Sequence, residues 1–207
     1  MRLSFIFVIL SIFLNSCFTS WVEELTERQY VPDLIYPEEA MDQKQYIQLA
    51  EQFKLPPDPG KKGKETLFGI DSDNDGLRDD IQRWIVFNYP EEPLIRKSLR
   101  QLAIDHIDTF RFIDDKEKSI TSSHRSQESL NCVSDIFQLV YFKAELSPPS
   151  WISSIIIQPI ENTPQRADAA QKARKNFSSE KAKSNWDKLS TCRFEVEHPN
   201  LEEYLEK

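Results

Sequence analysis

The sequence predicts a mostly α-helical domain, an irregular helical bundle holding one acidic loop and closed by one disulfide. Three observations predict it. Apolar residues recur at i, i+3, i+4 and i+7 in one segment after another, the spacing that lines one face of a helix. Proline clusters at Pro56-Pro57, Pro90 and Pro148-Pro149 cut these segments apart. With only 4 Gly, the chain is also poor in the turns that a many-stranded sandwich needs.

The 207 residues are enough for one ordinary domain plus an address segment. The formal net charge is −8, and removing residues 1–16 takes away only Arg2, leaving 25 basic against 34 acidic residues, or −9. Nucleic acid is excluded as an expected partner, since gripping a phosphate backbone takes a basic patch that displaces counterions. Cations suit this chain better.

Arg2 precedes the apolar run Leu3 to Leu14, which is shorter than the roughly 17–25 residues needed to span a bilayer and has the length of a secretory signal. The run ends in Leu14-Asn15-Ser16-Cys17, which resembles the bacterial lipobox, with Asn15 departing from the usual Ala, Ser or Thr. The resemblance implies cleavage after residue 16 and acylation of Cys17, with more than one acyl chain giving stable attachment to a membrane. Phe18 after that Cys resembles the sorting signal for the outer membrane, so the chain is expected to be anchored there facing the periplasm. The plainer alternative is an ordinary cleaved signal beside a chance Cys. Residues 17–37, with Pro32 and Pro37, read as a tether, and 38–207 as the folded domain.

If Cys17 carries lipid, Cys132 and Cys192 are left as an even pair in an oxidising compartment, and a disulfide between them is expected, with two buried free thiols as the alternative. No His or Cys stands at zinc-ligand spacing around them.

Within the domain, Tyr46, Leu49, Ala50 and Phe53 predict a helix from about 38 to 53, stopped by the prolines that follow. Ile81, Trp84 and Ile85 predict a second, ended by Pro90. Ile95, Leu99, Leu102, Ala103, His106, Phe110 and Ile113 share a face from 91 to about 113. Residues 114–129 read as a loop or a weak helix start. From about 127 to 144, Leu130, Val133, Phe137, Val140 and Tyr141 form the stripe of what is expected to be the central, most buried helix. Residues 151–157 are ambiguous, because Ile155-Ile156-Ile157 suits a strand while its neighbours are helical. Thr163-Pro164 reads as a helix start, hydroxyl cap followed by Pro at the first position, leading a helix to about 176. A short polar helix over 178–189 would carry Trp186, after which Cys192 would pin the C-terminal segment to the central helix.

The segment Asp71-Ser72-Asp73-Asn74-Asp75-Gly76-Leu77-Arg78-Asp79 places carboxylates at loop positions 1, 3, 5 and 9 and Gly at position 6. It resembles the EF-hand loop and the related dockerin and thrombospondin type 3 loops, in which alternate residues turn inward around a hard cation. The resemblance implies calcium, with Asp71, Asp73, Asp75, the Leu77 carbonyl and Asp79 as ligands and Gln82 at position 12. Gln82 departs from the family's bidentate Glu, and Asp80 is a candidate to compensate or to favour the exit helix through its dipole. Oxygen donors without His or Cys disfavour zinc and copper. The bland alternative is a solvated Asx-rich turn that caps a helix and holds nothing. If calcium binds, a lone loop in a calcium-rich compartment reads as a clip rather than a switch.

No catalytic pattern stands out: there is no His-Glu-x-x-His, Gly-x-Ser-x-Gly, phosphate loop or dinucleotide fingerprint. His106, on an apolar helix face, reads as a hydrogen-bonded core residue, while His124 and His198 read as exposed. Trp21, Trp84, Trp151 and Trp186 read as packing residues. In its arrangement the chain is similar to bacterial envelope lipoproteins carrying a single EF-hand-like loop of the Asp-x-Asp-x-Asp-Gly type. That similarity implies a non-catalytic binding or structural protein, held to the membrane through Cys17, whose partner would be another envelope protein. The alternative from a different class is a carboxylate-dependent envelope hydrolase acting on a glycan or peptide.

Overall fold

In the computed structural model, residues 41–141, 157–177 and 187–206 are described. The signal and tether (1–37), Cys17, Trp21, the first residues of the expected 38–53 helix, the end of the 127–144 helix, Trp151 to Ile156 and the segment carrying Trp186 lie outside them. The described residues belong to one unit, 36–207. They form α1 (Gln43–Gln52), a 3-10 turn (Lys62–Lys64), α2 (Asp79–Asn88), α3 (Pro93–Arg111), α4 (Lys116–Tyr141), α5 (Pro164–Phe177) and α6 (Leu201–Glu206). Among them there is no strand, and no helix is long and apolar enough to cross a membrane.

The caps explain where several helices begin. Asp42 accepts from the Gln45 N–H at 2.9 Å and starts α1. Pro93 occupies the first turn of α3, where its missing N–H costs nothing. Thr163 Oγ1 accepts from the Arg166 N–H at 3.3 Å, the cap expected of Thr163-Pro164. Ile157, the one described residue of the ambiguous 151–157 stretch, opens a helical turn over 157–160.

The bundle is built around α3, which packs along α4 and also meets α2 and α5. Twelve of the 19 residues of α3 are buried, including Ile95, Leu99, Leu102 and Ala103, which are wholly inaccessible. The central helix is therefore α3 and not the one expected from about 127. Of the two readings of 114–129, the helix start holds and the loop does not, because α4 begins at Lys116 and runs unbroken.

The reason lies in serine. Ser119, Ser122, Ser126 and Ser129 are buried, and Val133 and Ile136 continue their three-and-four spacing along the same face. Small side chains let two helices approach closely while their hydroxyls bond neighbouring polar groups, so a polar-looking face can still be a packing face. Tyr141, expected on the stripe, is 51% exposed.

The disulfide Cys132–Cys192 joins α4 to the C-terminal segment as expected. Beside it Gln101 donates to the Thr191 carbonyl and accepts from the Arg193 N–H. Asp105, almost fully buried, pairs with the Arg193 guanidinium, and Asp135 accepts from the Leu189 N–H and the Tyr204 hydroxyl.

Candidate metal centre

The acidic loop enters from Ile70 and leaves into α2. Its neck is tied where the Asp79 N–H donates to the Ile70 carbonyl at 2.8 Å. Within it, Asp71 accepts from the N–H groups of Asp75 (3.1 Å) and Gly76 (3.0 Å), and Asp73 accepts from Asp75 N–H at 3.3 Å. Asp79 accepts from the Ser72 N–H at 2.9 Å. The carboxylates thus shape the backbone that carries them. Gly76 sits at φ +86°, where a Cβ would meet no atom within 4 Å, so the requirement for glycine is one of backbone strain alone.

This wrapping brings Asp71, Asp73 and Asp79 together, one carboxylate oxygen of each lying within 4.8 Å of the others. None of the three makes an ion pair among the described residues. At such separation each pair of like charges repels by about 3 kcal/mol at an effective dielectric constant near 20. A divalent cation among them would turn that repulsion into attraction, and the all-oxygen donor set suits a hard one.

The other expected ligands behave differently. Asp75 gives one oxygen to the Leu77 N–H (2.8 Å) and the other to Arg100, 2.6 Å away, while Arg100 also donates to the Asp75 carbonyl. Leu77 is 1% exposed, which seats its backbone against the core. Gln82 lies in the first turns of α2, and its Oε1 is a buried acceptor without a hydrogen-bond donor. Asp80 does not compensate for it. Both its oxygens are held by Arg78, at 2.9 and 2.7 Å, and Arg166 stands 3.9 Å away.

That pairing exposes what sequence reasoning missed. Arg78 and Arg166, 2% and 0% exposed, are among the largest fully buried side chains. Arg78 reaches the carbonyls of Pro159 and Ile160, and Arg166 those of Gly63, Thr66 and Leu67. Burial, aided by the nearby Arg78 charge, pushes the Arg166 guanidinium down to about 10. Gly69 makes room for this knot: at φ +64°, a Cβ there would stand 2.9 Å from both Arg166 Nη2 and Arg78 Cδ. A third buried arginine, Arg83, donates to the Pro56 carbonyl and the Tyr46 hydroxyl and lies over the Tyr46 ring.

His106 is the hydrogen-bonded core residue expected. Its Nδ1 lies 3.2 Å from Ser126 Oγ and its Nε2 3.0 Å from Glu161 Oε1. Serine, histidine and carboxylate in line suggest a hydrolytic triad, but Ser126 sits mid-helix, where neighbouring N–H groups serve the helix and offer no oxyanion hole. Arg174 also holds both oxygens of Glu161. Burial alone would raise the Glu161 carboxyl, yet the bonds from His106 and Arg174 outweigh it and hold the group below its ordinary value. His124 and His198, expected to be exposed, are half-buried. His124 packs edge-on to Phe177, and His198 accepts from the Asn200 N–H.

Compared with protein-family models, curated proteins and solved structures, the chain matches none.

Proposed function

We propose that the chain is a calcium-binding protein of the bacterial cell envelope, lipid-anchored through Cys17 and serving a non-catalytic binding or structural role. One observation carries the metal part: three carboxylates of one loop converge with no protein cation between them. Asp71, Asp73 and Asp79 supply the oxygens, with Gln82 Oε1 and the Leu77 carbonyl as further donors. The ion supplies positive charge and nothing else. Calcium is favoured over magnesium because a flexible loop offers many protein oxygens, whereas magnesium retains its waters.

Bound calcium acts as a clip. The loop's neck continues into α2, whose Ile81, Trp84 and Ile85 are buried in the core, so fixing the loop fixes the start of that helix. The anchor rests on the sequence Leu14-Asn15-Ser16-Cys17 and, once cleaved, would hold the domain facing the periplasm, on the outer membrane by the identity of Phe18. The line Ser126–His106–Glu161 does not favour the hydrolase alternative, because Ser126 lies within α4 and Arg174 holds both Glu161 oxygens.

Calorimetric titration of the full chain in phosphatidylcholine nanodiscs should give one calcium site, abolished by Asp73→Ala. No heat at millimolar calcium removes the metal reading, and undiminished heat in the variant moves the site elsewhere. Mass spectrometry of the mature protein should find acyl chains on Cys17, and a free, unmodified thiol there defeats the anchor.

A further inference from the structure

A groove of about 240 Å³ opens beside the acidic loop, walled by the residues after α1, by α2 and by the first turns of α3. Its floor is aliphatic: Leu77, Ile85 and Val86 are all buried. Phe53 and Leu55 form one lip. The other carries Arg96, Lys97 and Arg100 from successive turns of α3. No Asp or Glu lines the groove, although the chain has 34 acidic residues against 26 basic ones.

Two of these three cations make no ion pair among the described residues. Arg96 donates to the Tyr89 carbonyl at 2.7 Å and lies over the Phe53 ring at 4.7 Å, and neither it nor Lys97 makes an ion pair among the described residues. Glu91 and Glu92 act on Arg96 through space but are not among the residues that line the groove. Only Arg100 has a carboxylate partner, Asp75.

An occupant must satisfy both halves of this surface. A neutral apolar molecule would leave the cations without a counter-charge, and a bare inorganic anion would leave the aliphatic floor in contact with water. The volume lies below the usual range for ligand pockets, roughly 300–1,000 Å³, so a single short chain fits and the paired chains of a phospholipid do not. We infer that the groove binds a single-chain amphipathic anion, an alkyl carboxylate whose chain lies on Leu77, Ile85 and Val86 and whose head group meets Arg96 and Lys97. The groove shares Leu77 and Gln82 with the proposed metal site, and its test reads the binding of octanoate rather than of calcium.

Octanoate titrated into the full chain, methyl-labelled and held in phosphatidylcholine nanodiscs, tests this by NMR. Saturable shifts should centre on the methyls of Leu77, Ile85 and Val86. Affinity should rise about fourfold per added methylene between hexanoate and octanoate. Octanol should bind about tenfold more weakly than octanoate. Lys97→Glu should weaken octanoate about tenfold, while Lys172→Glu, the same charge change on an exposed position of α5, should leave it unaltered. Shifts centred elsewhere, no dependence on chain length, or equal weakening by both variants would overturn the inference. So would the same shifts produced by phosphatidylglycerol in the nanodisc without octanoate, which would identify a membrane lipid as the occupant.

Discussion

Two irregular segments pack onto the helical bundle and are fastened by opposite means. The C-terminal strap, residues 187–200, is gripped from the core outward, by the disulfide from Cys132 and by Gln101, Asp105 and Asp135 reaching from α3 and α4. The segment from Gly63 to Asp80 is held partly by Arg166 reaching from α5, but its acidic loop is shaped by its own carboxylates folding back onto its own N–H groups. The strap keeps its order in any oxidising solvent. On the calcium reading proposed above, the loop's order should vary with the cations in the solvent.

Breaking the strap should have the largest effect. With its cysteines 60 positions apart in the sequence, reduction of Cys132–Cys192 should lower stability by about 4 kcal/mol on the chain-entropy account. Urea denaturation with and without reductant measures it, and a change below about 1 kcal/mol would mean the polar latches hold the strap alone.

Arg166→Met attacks the other segment where it is held from outside. Three carbonyls lose their donor in a dry site, at a cost of about 3 kcal/mol, read from the shift in denaturation midpoint. Asp71→Ala sharpens the comparison further. It leaves the Gly76 N–H without its acceptor and the Asp75 N–H with Asp73 alone, costing about 1 kcal/mol in chelator, and should erase the rise in melting temperature expected from calcium in the parent chain. A variant that still gains stability from calcium would place the ion away from Asp71.

The smallest effect is one of pH. Glu161 belongs to the turn that accepts Arg78, and its folded-state value lies below the ordinary carboxylate value of about 4.3. Its stabilisation is therefore fully present above that ordinary value and is lost as pH falls through the lowered one. Denaturation midpoints measured from pH 6 downward should fall less steeply for Glu161→Gln than for the parent, so that the curves stand apart near pH 6 and close on each other on the acid side.

Much of this was legible before any coordinates. Thr163-Pro164 announced the start of α5, the apolar spacing of Ile95 to Phe110 announced α3, and cysteine parity announced the disulfide. The loop was legible because its chemistry is local: each carboxylate bonds an N–H a few residues away. The first half of α4 escaped a search for apolar residues because its buried face is serine. Its three-and-four spacing, running from Ser119 into Val133 and Ile136, was nonetheless available as a signal. Arg78 and Arg166 were illegible for another reason: a buried arginine is recognised only by the carbonyls around it, and those lie about 80 and 100 residues away along the chain. The fate of Asp80 followed from these two arginines, and that of Asp75 from Arg100. Composition could count such arginines but not say which carboxylates they would claim.

The covalent tie between Cys132 and Cys192 has one more effect. It makes a ring of the intervening chain, so a protease that cuts a single peptide bond inside that ring releases nothing. Both fragments would migrate together until a reductant parts them, and the domain could carry such a scar without shedding its tail.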